Sequence, residues 1–302
     1  MSAAAEKILT AADLARWSFA GTALAVVGRP VGHSLSPAIH NAALAALARD
    51  RPEFRAWRYF MFDVAPEELP RALTLFHEQR FHGLNLTVPH KALVVPELVG
   101  RDALVQAAGA ANTLIRTPAG WRGANTDGYG LSTALRQDLD VDLAGASVIL
   151  LGAGGAARAA AVECLGRGCV ALWIGNRTRS TLDLLLAGLQ PLAAGATLRG
   201  FDLNDPPAAL PAGALVLNAT ALGLQAGDPA PIALGKIPRP AQVYDMIYRP
   251  PETALLRQAA ALGVPCANGL SMLVHQGARS LEIWTGVNVP VAIMQQAART
   301  AL

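Results

Sequence analysis

Only three cysteines occur in 302 residues, Cys164, Cys169 and Cys266, an odd number with no CxxC spacing. That excludes a disulfide framework and a structural zinc site, and it suits a reducing cytoplasm. Charge is equally sparse: 16% of residues are charged, and 25 Lys+Arg against 22 Asp+Glu leave a net +3 with no basic run. The chain therefore has no electrostatic footprint for DNA or RNA. It also lacks an unbroken apolar stretch of membrane-spanning length. The best candidate, Ser147–Gly166, is interrupted by Gly152, Gly154 and Gly155 and carries Arg158 and Glu163, so it reads as strand–turn–helix. The amino terminus contains acidic residues and no apolar h-region, which is not a secretory signal. Six histidines form no HxH or HxxxH pair, so no metal site is expected. No internal repeat or low-complexity tract is present beyond general alanine richness.

What the chain has is apolar surface to bury. Hydrophobic residues make up 52% and mean hydropathy is +0.32, enough for a sizeable core, and the length suits two domains. Ala23–Gly28 ends in glycine after an apolar run and reads as a buried strand. Helical spacing of Ile39, Leu44 and Leu47 follows Pro37, then a strand over Ala56–Val64. A helix opening at Pro66 with Glu67 and Glu68 in its first turn comes next, then a strand over Gly83–Val88. This alternation predicts an α/β class with a mostly parallel sheet. The pattern restarts near Gly145. It has strands at Ser147–Leu151, Val170–Ile174, Ala214–Asn218 and Gln242–Asp245, and helices through about Arg167 and over Gly269–Gly286. The first residues read as a short helical extension capped by Thr10 or Asp13.

Gly152-Ala153-Gly154-Gly155-Ala156-Ala157 lies between an apolar strand and a helix, the context a dinucleotide-binding turn requires. The first glycine makes the tight turn, the second admits a pyrophosphate to the backbone N–H groups, and Ala157 lets helix and sheet pack closely. The next strand ends in Asn176-Arg177-Thr178-Arg179, 24 residues after Gly152. A carboxylate there would bind the ribose 2′-hydroxyl of NAD. Arginines instead pair with a 2′-phosphate, so NADP is the expected cofactor.

Three polar stretches in the first half stand out from ordinary core. They are Gly32-His33-Ser34-Leu35-Ser36-Pro37, then Asn85-Leu-Thr87-Val-Pro89-His-Lys91, and last Asn112-Thr113 with Asn125-Thr126-Asp127-Gly128. Many neutral hydrogen-bonding groups, one amine and one carboxylate suit a polyhydroxylated acid. Together with GAANTL, LLGAGGAAR, NRT, NATALG, YDMIY and NGLSMLVHQGA, all in order, these stretches closely resemble the shikimate dehydrogenase family from about Ala23 to Met294.

The resemblance implies a two-domain α/β enzyme with an active-site cleft between the domains. The substrate domain would comprise residues 1–126 and 268–302, and a Rossmann-like NADP domain residues 127–267. It implies reversible NADP-dependent reduction of 3-dehydroshikimate to shikimate, on the route to aromatic amino acids. Ser34 and Ser36 would bind the substrate carboxylate, with Tyr248 near it. Thr87, Asn112 and Gln276 would contact ring hydroxyls, with Asn85 also in the substrate set. Lys91 and Asp127 match the catalytic pair and touch substrate. Gly152–Ala156 with Asn176, Arg177, Thr178 and Arg179 would hold the cofactor, and Thr220, Met246 and Gly269 its nicotinamide end. Hydride transfer to a ketone builds negative charge on oxygen, which Lys91 can meet either as proton donor or as electrostatic stabiliser. The implied partner is a small-molecule substrate, without nucleic acid or membrane, for a monomer or homodimer.

Two features depart from the family pattern. Many NADP-using members carry a second basic residue three positions beyond the NRT threonine, whereas here that place is Thr181 and Arg179 comes earlier. The extension through about Gly21 carries no interpretable motif. The competing readings are a quinate/shikimate dehydrogenase using NAD, an aminoshikimate enzyme, and a non-catalytic NADP-binding regulator. Ser36 and Asn176-Arg177 argue against the first, and retention of both Lys91 and Asp127 argues against the last.

Overall fold

The strands and helices of the computed structural model, which describes residues 7–225 and 227–302, form two units. One takes the chain up to Thr126 and again from Gln276 to Leu302; the other is Asp127–His275. Their element order begins β1 (Ile8–Thr10), α1 (Ala11–Ala15), β2 (Thr22–Gly28), α2 (Ser36–Asp50), β3 (Trp57–Asp63), α3 (Leu69–Glu78), β4 (Gly83–Leu86), α4 (His90–Leu93), β5 (Gly100–Arg101), α5 (Ala103–Ala108), β6 (Thr113–Thr117) and β7 (Gly120–Ala124). These seven strands form one sheet in the order β1-β3-β2-β4-β6-β7-β5.

β2 lies at the centre of the parallel part. Its Ala23–Gly28 are buried without alternation, as expected for a strand covered on both faces. The sheet is mostly parallel, as the alternation predicts, and carries one antiparallel part that the alternation does not show. β6 runs against β4 and β7 against β6, closing at Thr117↔Gly120. Its signal is TLIRT and WRGA around Pro118-Ala119-Gly120, two short alternating runs about a turn, which strand–helix alternation conceals. On one face of the sheet Phe62, Phe76, Phe81, Leu84, Leu114 and Trp121 form the centre of the core.

The amino-terminal extension is part of this unit. Thr10 ends β1 and caps α1: its Oγ1 accepts from the Asp13 N–H at 3.3 Å, and Asp13 Oδ2 accepts from the Thr10 N–H at 2.9 Å. Of the two expected caps the structure uses Thr10, and it adds a strand, since β1 pairs in parallel with β3 through Leu9↔Phe62. Trp17 then seats against Phe60, Phe81 and Phe62 at centroid distances of 4.8, 5.0 and 5.6 Å. An apolar strand–helix–aromatic segment thus stabilises the sheet edge without needing a recognisable motif.

The second unit continues with α6 (Asp127–Leu139), β8 (Ser147–Leu151), α7 (Gly155–Gly166), β9 (Ala171–Asn176), α8 (Arg179–Leu189), β10 (Thr197–Asp202), β11 (Leu215–Asn218), β12 (Gln242–Asp245), α9 (Ala254–Ala261) and β13 (Cys266–Asn268). All six strands are parallel, in the order β10-β9-β8-β11-β12-β13. That is the doubly wound dinucleotide-binding order, with its topological switch between β8 and β11. β10 and β13 were not expected. One is an edge strand with exposed alternate residues and the other is only three residues long, so neither carries a strong pattern.

The last helices are α10 (Leu270–Thr285) and α11 (Val291–Ala301), and α11 packs against α2. The chain leaves the second unit at Gln276, later than the 268 boundary expected from the motifs. The reason is that the first turns of α10 bond to α6: Ser271 Oγ donates to Asp138 at 3.0 Å, and His275 Nε2 bonds Gln137 Oε1 at 2.8 Å. Among the described residues no helix is long and apolar enough to cross a membrane, and no cluster of His, Cys, Asp or Glu could hold a metal ion.

His40, fully buried on α2, stacks on Tyr59 at 4.1 Å and donates from Nδ1 to the Ser36 carbonyl at 2.8 Å. Burial lowers its pKa from 6.5 to about 4. Below pH 6.5 the unfolded chain takes up a proton at this residue that the folded chain refuses until about pH 4. Stability therefore falls as pH drops through that window, by about 2–3 kcal/mol at pH 4.5. Urea unfolding at pH 7.5 and 4.5 should show a shallower acid loss in His40→Gln than in the wild type.

Candidate functional site

Each unit carries its own set of predicted site residues. In the second, Gly152 sits at φ +109°, and a Cβ there would lie 3.1 Å from the Ala219 carbonyl oxygen, so only glycine suits this turn. Ala153 is buried, Gly154, Gly155 and Ala156 are exposed, and Ala157 is fully buried against the sheet. A Cβ at Gly154 or Gly155 would meet nothing within 4 Å. The turn is thus open outward at the start of the 12-residue α7, whose first N–H groups have no intrahelical acceptor. This is the cradle a pyrophosphate requires, and it lies beside the switch point between β8 and β11.

At the end of β9, Asn176 Nδ2 donates to the Thr178 carbonyl at 2.9 Å and closes the loop on itself. Arg179 Nε donates to both carboxylate oxygens of Asp183, at 2.9 and 3.0 Å. Arg177 is exposed and carries no ion pair among the described residues. Of the two predicted arginines, Arg177 is thus the one whose guanidinium is not already paired with a carboxylate, and Asn176 leaves the position without an anion to repel a phosphate. The donor set fits a 2′-phosphorylated dinucleotide.

The strand ends across the switch form a closed polar cluster. Asn218 Nδ2 donates to Asp245 Oδ1 at 2.9 Å, and Asn218 Oδ1 accepts the Thr220 N–H and hydroxyl at 3.0 and 2.8 Å. Thr253 Oγ1 donates to Asp245 Oδ2 at 2.6 Å. Burial pushes the Asp245 carboxyl up, opposed by these three donors, Thr253, the Ile247 N–H and Asn218. Thr220, half-buried, therefore spends its proton within the loop and is held rather than mobile. Met246 donates its N–H to the Asn218 carbonyl. Gly269 is required by close backbone approach: a Cβ would stand 2.0 Å from the Met246 carbonyl oxygen. Tyr248, half-buried, has its phenol pKa raised by burial, opposed by neighbouring Arg249.

In the first unit, Ser34 Oγ accepts the Ser36 N–H at 3.3 Å, which brings the two serines together at the start of α2. Ser36 is buried and Ser34 half-buried. Thr87 is half-buried beyond β4, and its methyl occupies the place a side chain at Gly28 would need, 2.2 Å from that Cβ. Lys91, half-buried on α4, accepts the Ala111 N–H with its carbonyl at 2.8 Å, which ties α4 to the segment before Asn112. Asp127, buried, is the first residue of the second unit and opens α6. Next to it, Gly128 has no room for a side chain, since the buried Glu163 carboxylate fills that space at 2.4 Å from a Cβ.

Asn85, Asn112 and Gln276 join in one network. Asn112 Nδ2 donates to Gln276 Oε1 at 3.2 Å and to Thr126 Oγ1 at 2.9 Å, while its Oδ1 accepts the Thr126 N–H at 2.8 Å. Asn85 Oδ1 accepts from the Tyr59 hydroxyl at 2.8 Å, and Asn85 Nδ2 donates to the Asn112 carbonyl and to Ser280 Oγ, both at 3.0 Å. The buried Asn85 amide thus has protein partners at both ends, as the Asn112 amide does. Tyr59 and Ser280 were missed by sequence reasoning. Tyr59 lies in an apolar strand with no motif beside it, and Ser280 lies just past the end of the NGLSMLVHQGA motif.

Gly269→Ala should lower stability by about 1–3 kcal/mol in urea unfolding, because a fixed carbonyl must move. Gly154→Ala should leave stability unchanged and weaken dinucleotide binding, read by fluorescence titration.

The comparisons with known proteins agree with this geometry. Residues 26–114 match the family model of the shikimate dehydrogenase substrate binding domain, and residues 269–299 match that of the shikimate 5'-dehydrogenase C-terminal domain. The shikimate dehydrogenase (NADP(+)) of Thermosynechococcus vestitus is 39% identical over 285 residues, covering 92% of this chain and 95% of the relative. Among solved structures, the ligand-free 5-ketofructose reductase of Gluconobacter sp. superposes with a TM-score of 0.83 at 30% identity, covering 94% of this chain and 100% of the neighbour. Shikimate 5-dehydrogenase of Thermus thermophilus, solved with NADP(H) and shikimate, gives 0.80 at 35% identity, covering 93% of this chain and 100% of that one. With this identity along nearly its whole length, and with its own glycine turn and polar network built as described, the chain belongs to the shikimate dehydrogenase family.

Proposed function

We infer that this protein is an NADP-dependent shikimate dehydrogenase, which reversibly reduces 3-dehydroshikimate to shikimate. The observation that carries the reading is the combination, in one unit, of an open glycine turn at α7 with Arg177, which has no ion pair among the described residues, where NAD enzymes place a carboxylate. The relatives that share nearly the full length support the substrate. Three cysteines without a CxxC pair support a cytoplasmic location.

NADP, when bound, supplies or accepts the hydride. Gly152–Ala156 would carry its pyrophosphate on backbone N–H groups, Arg177 with Asn176 and Thr178 its 2′-phosphate, and Thr220, Met246 and Gly269 its nicotinamide end. Arg179, paired with Asp183, shapes the loop. Ser34 and Ser36 would receive the substrate carboxylate at the helix N-terminus, where an anion is favoured, and the family resemblance assigns Tyr248 to the same carboxylate. Thr87, Asn112 and Gln276 hold the ring hydroxyls. Lys91 meets the negative charge that grows on the ring oxygen and assists transfer of its proton, and Asp127 orients the hydroxyl concerned.

A steady-state comparison of shikimate and quinate, each with NADP and NAD, tests the reading, with 5-ketofructose plus NADPH as control. Shikimate with NADP should far exceed the others in kcat/KM, and a higher value for quinate with NAD would sink the assignment. Lys91→Ala should lower kcat about 10²–10⁴-fold. Arg177→Ala should raise KM for NADP while leaving that for NAD nearly unchanged, and Arg179→Ala should change neither substantially.

A further inference from the structure

We propose that Asp202 is a second determinant of cofactor choice: from the neighbouring strand, its carboxylate works against the 2′-phosphate that Arg177 attracts. This deepens the NADP reading above, on which it rests.

Residues paired in register on parallel strands lie about 4.8 Å apart and project to the same face of the sheet. β10 pairs with β9 so that Gly200 is opposite Ile174 and Asp202 opposite Asn176. Gly200 identifies the face, because a Cβ there would meet Leu186 and Leu182 of α8 at 2.6 and 3.0 Å. Asp202, two residues on, shares that face by strand alternation, and so does Asn176. The opposite face is taken by the buried Phe201, whose ring fills the space beside Gly175. Asp202 is exposed and ends β10, so it stands beside Asn176 at the edge of the sheet where α8 begins with Arg179.

The carboxylate is held in place without being neutralised. Asp202 Oδ1 accepts the Asn204 N–H at 2.9 Å and Asn204 Nδ2 at 3.0 Å. Among the described residues Asp202 has no cationic partner. Arg179 is balanced by Asp183, whereas Arg177 has no ion pair among the described residues. The loop therefore sets one unbalanced cation, Arg177, against one unbalanced anion, Asp202, at the ends of adjacent strands. Asp205 is exposed as well, but it lies past the end of β10 and has no register partner in β9.

A phosphate monoester carries about −1.5 to −2 charges, whereas a ribose 2′-hydroxyl carries none and can donate to a carboxylate. Across one to two strand spacings in water-like surroundings, one opposing carboxylate costs such a phosphate about 3–10-fold in affinity. NAD escapes that penalty. The position after β9 has lost its carboxylate to Asn176, and the fold returns one beside it from β10. Arg177 must therefore outweigh Asp202 for NADP to be preferred, and the margin is smaller than Asn176-Arg177 alone implies.

Titration calorimetry of wild type, Asp202→Asn and Asp205→Asn tests this, with NADP, NAD and adenosine 2′,5′-bisphosphate at about 0.05 M and about 1 M salt. Asparagine keeps an oxygen for Asn204 and removes only the charge. Asp202→Asn should tighten NADP and the bisphosphate about 3–10-fold at low salt and leave NAD within twofold. Most of that gain should vanish at high salt, where the screening length falls to about 3 Å. Asp205→Asn should give less than half the gain. Unchanged or weaker NADP binding in Asp202→Asn would overturn the proposal. So would an equal gain for NAD, a gain that survives high salt, or an equal gain from Asp205→Asn. Wild type that fails to bind NADP would instead overturn the cofactor reading itself, and the role of Asp202 with it.

Discussion

The Thr126 N–H donating to Asn112 Oδ1 at 2.8 Å is the bond on which the polar network of the first unit depends. A backbone N–H has no alternative role, so it fixes the orientation of one asparagine, and that asparagine orients Gln276 on a distant helix. Because every member is buried or half-buried, each wrong orientation would leave a polar group unsatisfied away from water, at about 1–3 kcal/mol. Buried amides and hydroxyls of this kind are consequently either fully paired or strongly destabilising. The network converts ordinary side chains at sequence positions 85, 112, 113, 126, 276 and 280 into a surface of defined donors and acceptors.

The cofactor unit follows a different logic, based on space rather than on polarity. Gly152 and Gly269 are glycines because backbone from Ala219 and Met246 fills the places where their side chains would stand. At Gly154 and Gly155 nothing fills those places, which leaves the backbone open to the approach of an anion. The same residue type thus marks tight packing at one end of the sheet switch and deliberate openness at the other. The polar cluster of Asn218, Thr220, Asp245 and Thr253 holds the intervening loops, with a carboxyl that burial makes harder to ionise.

Most of the fold was legible because its patterns are local. An apolar run ending in glycine, a helical repeat after a proline, and a glycine turn between them each declare an element within a dozen residues. The hairpin of β6 and β7, the edge strand β10 and the three-residue β13 were not, because short strands owe their existence to neighbours far along the chain. The amino-terminal segment shows the same limit: Trp17 has no motif, and its meaning comes from Phe60, Phe62 and Phe81.

By itself the sequence determined the chemistry on offer: the types of residue, the dinucleotide turn, the missing carboxylate after β9, and the resemblance that names the reaction. Only the tertiary structure decided how those groups are used. It committed Asn85 to the interior, paired Arg179 with Asp183 while leaving Arg177 without an ion pair, and recruited Tyr59 and Ser280 into the network. The physical reason is that donor and acceptor capacity belongs to a residue, whereas its satisfaction depends on partners that only folding brings within 3 Å.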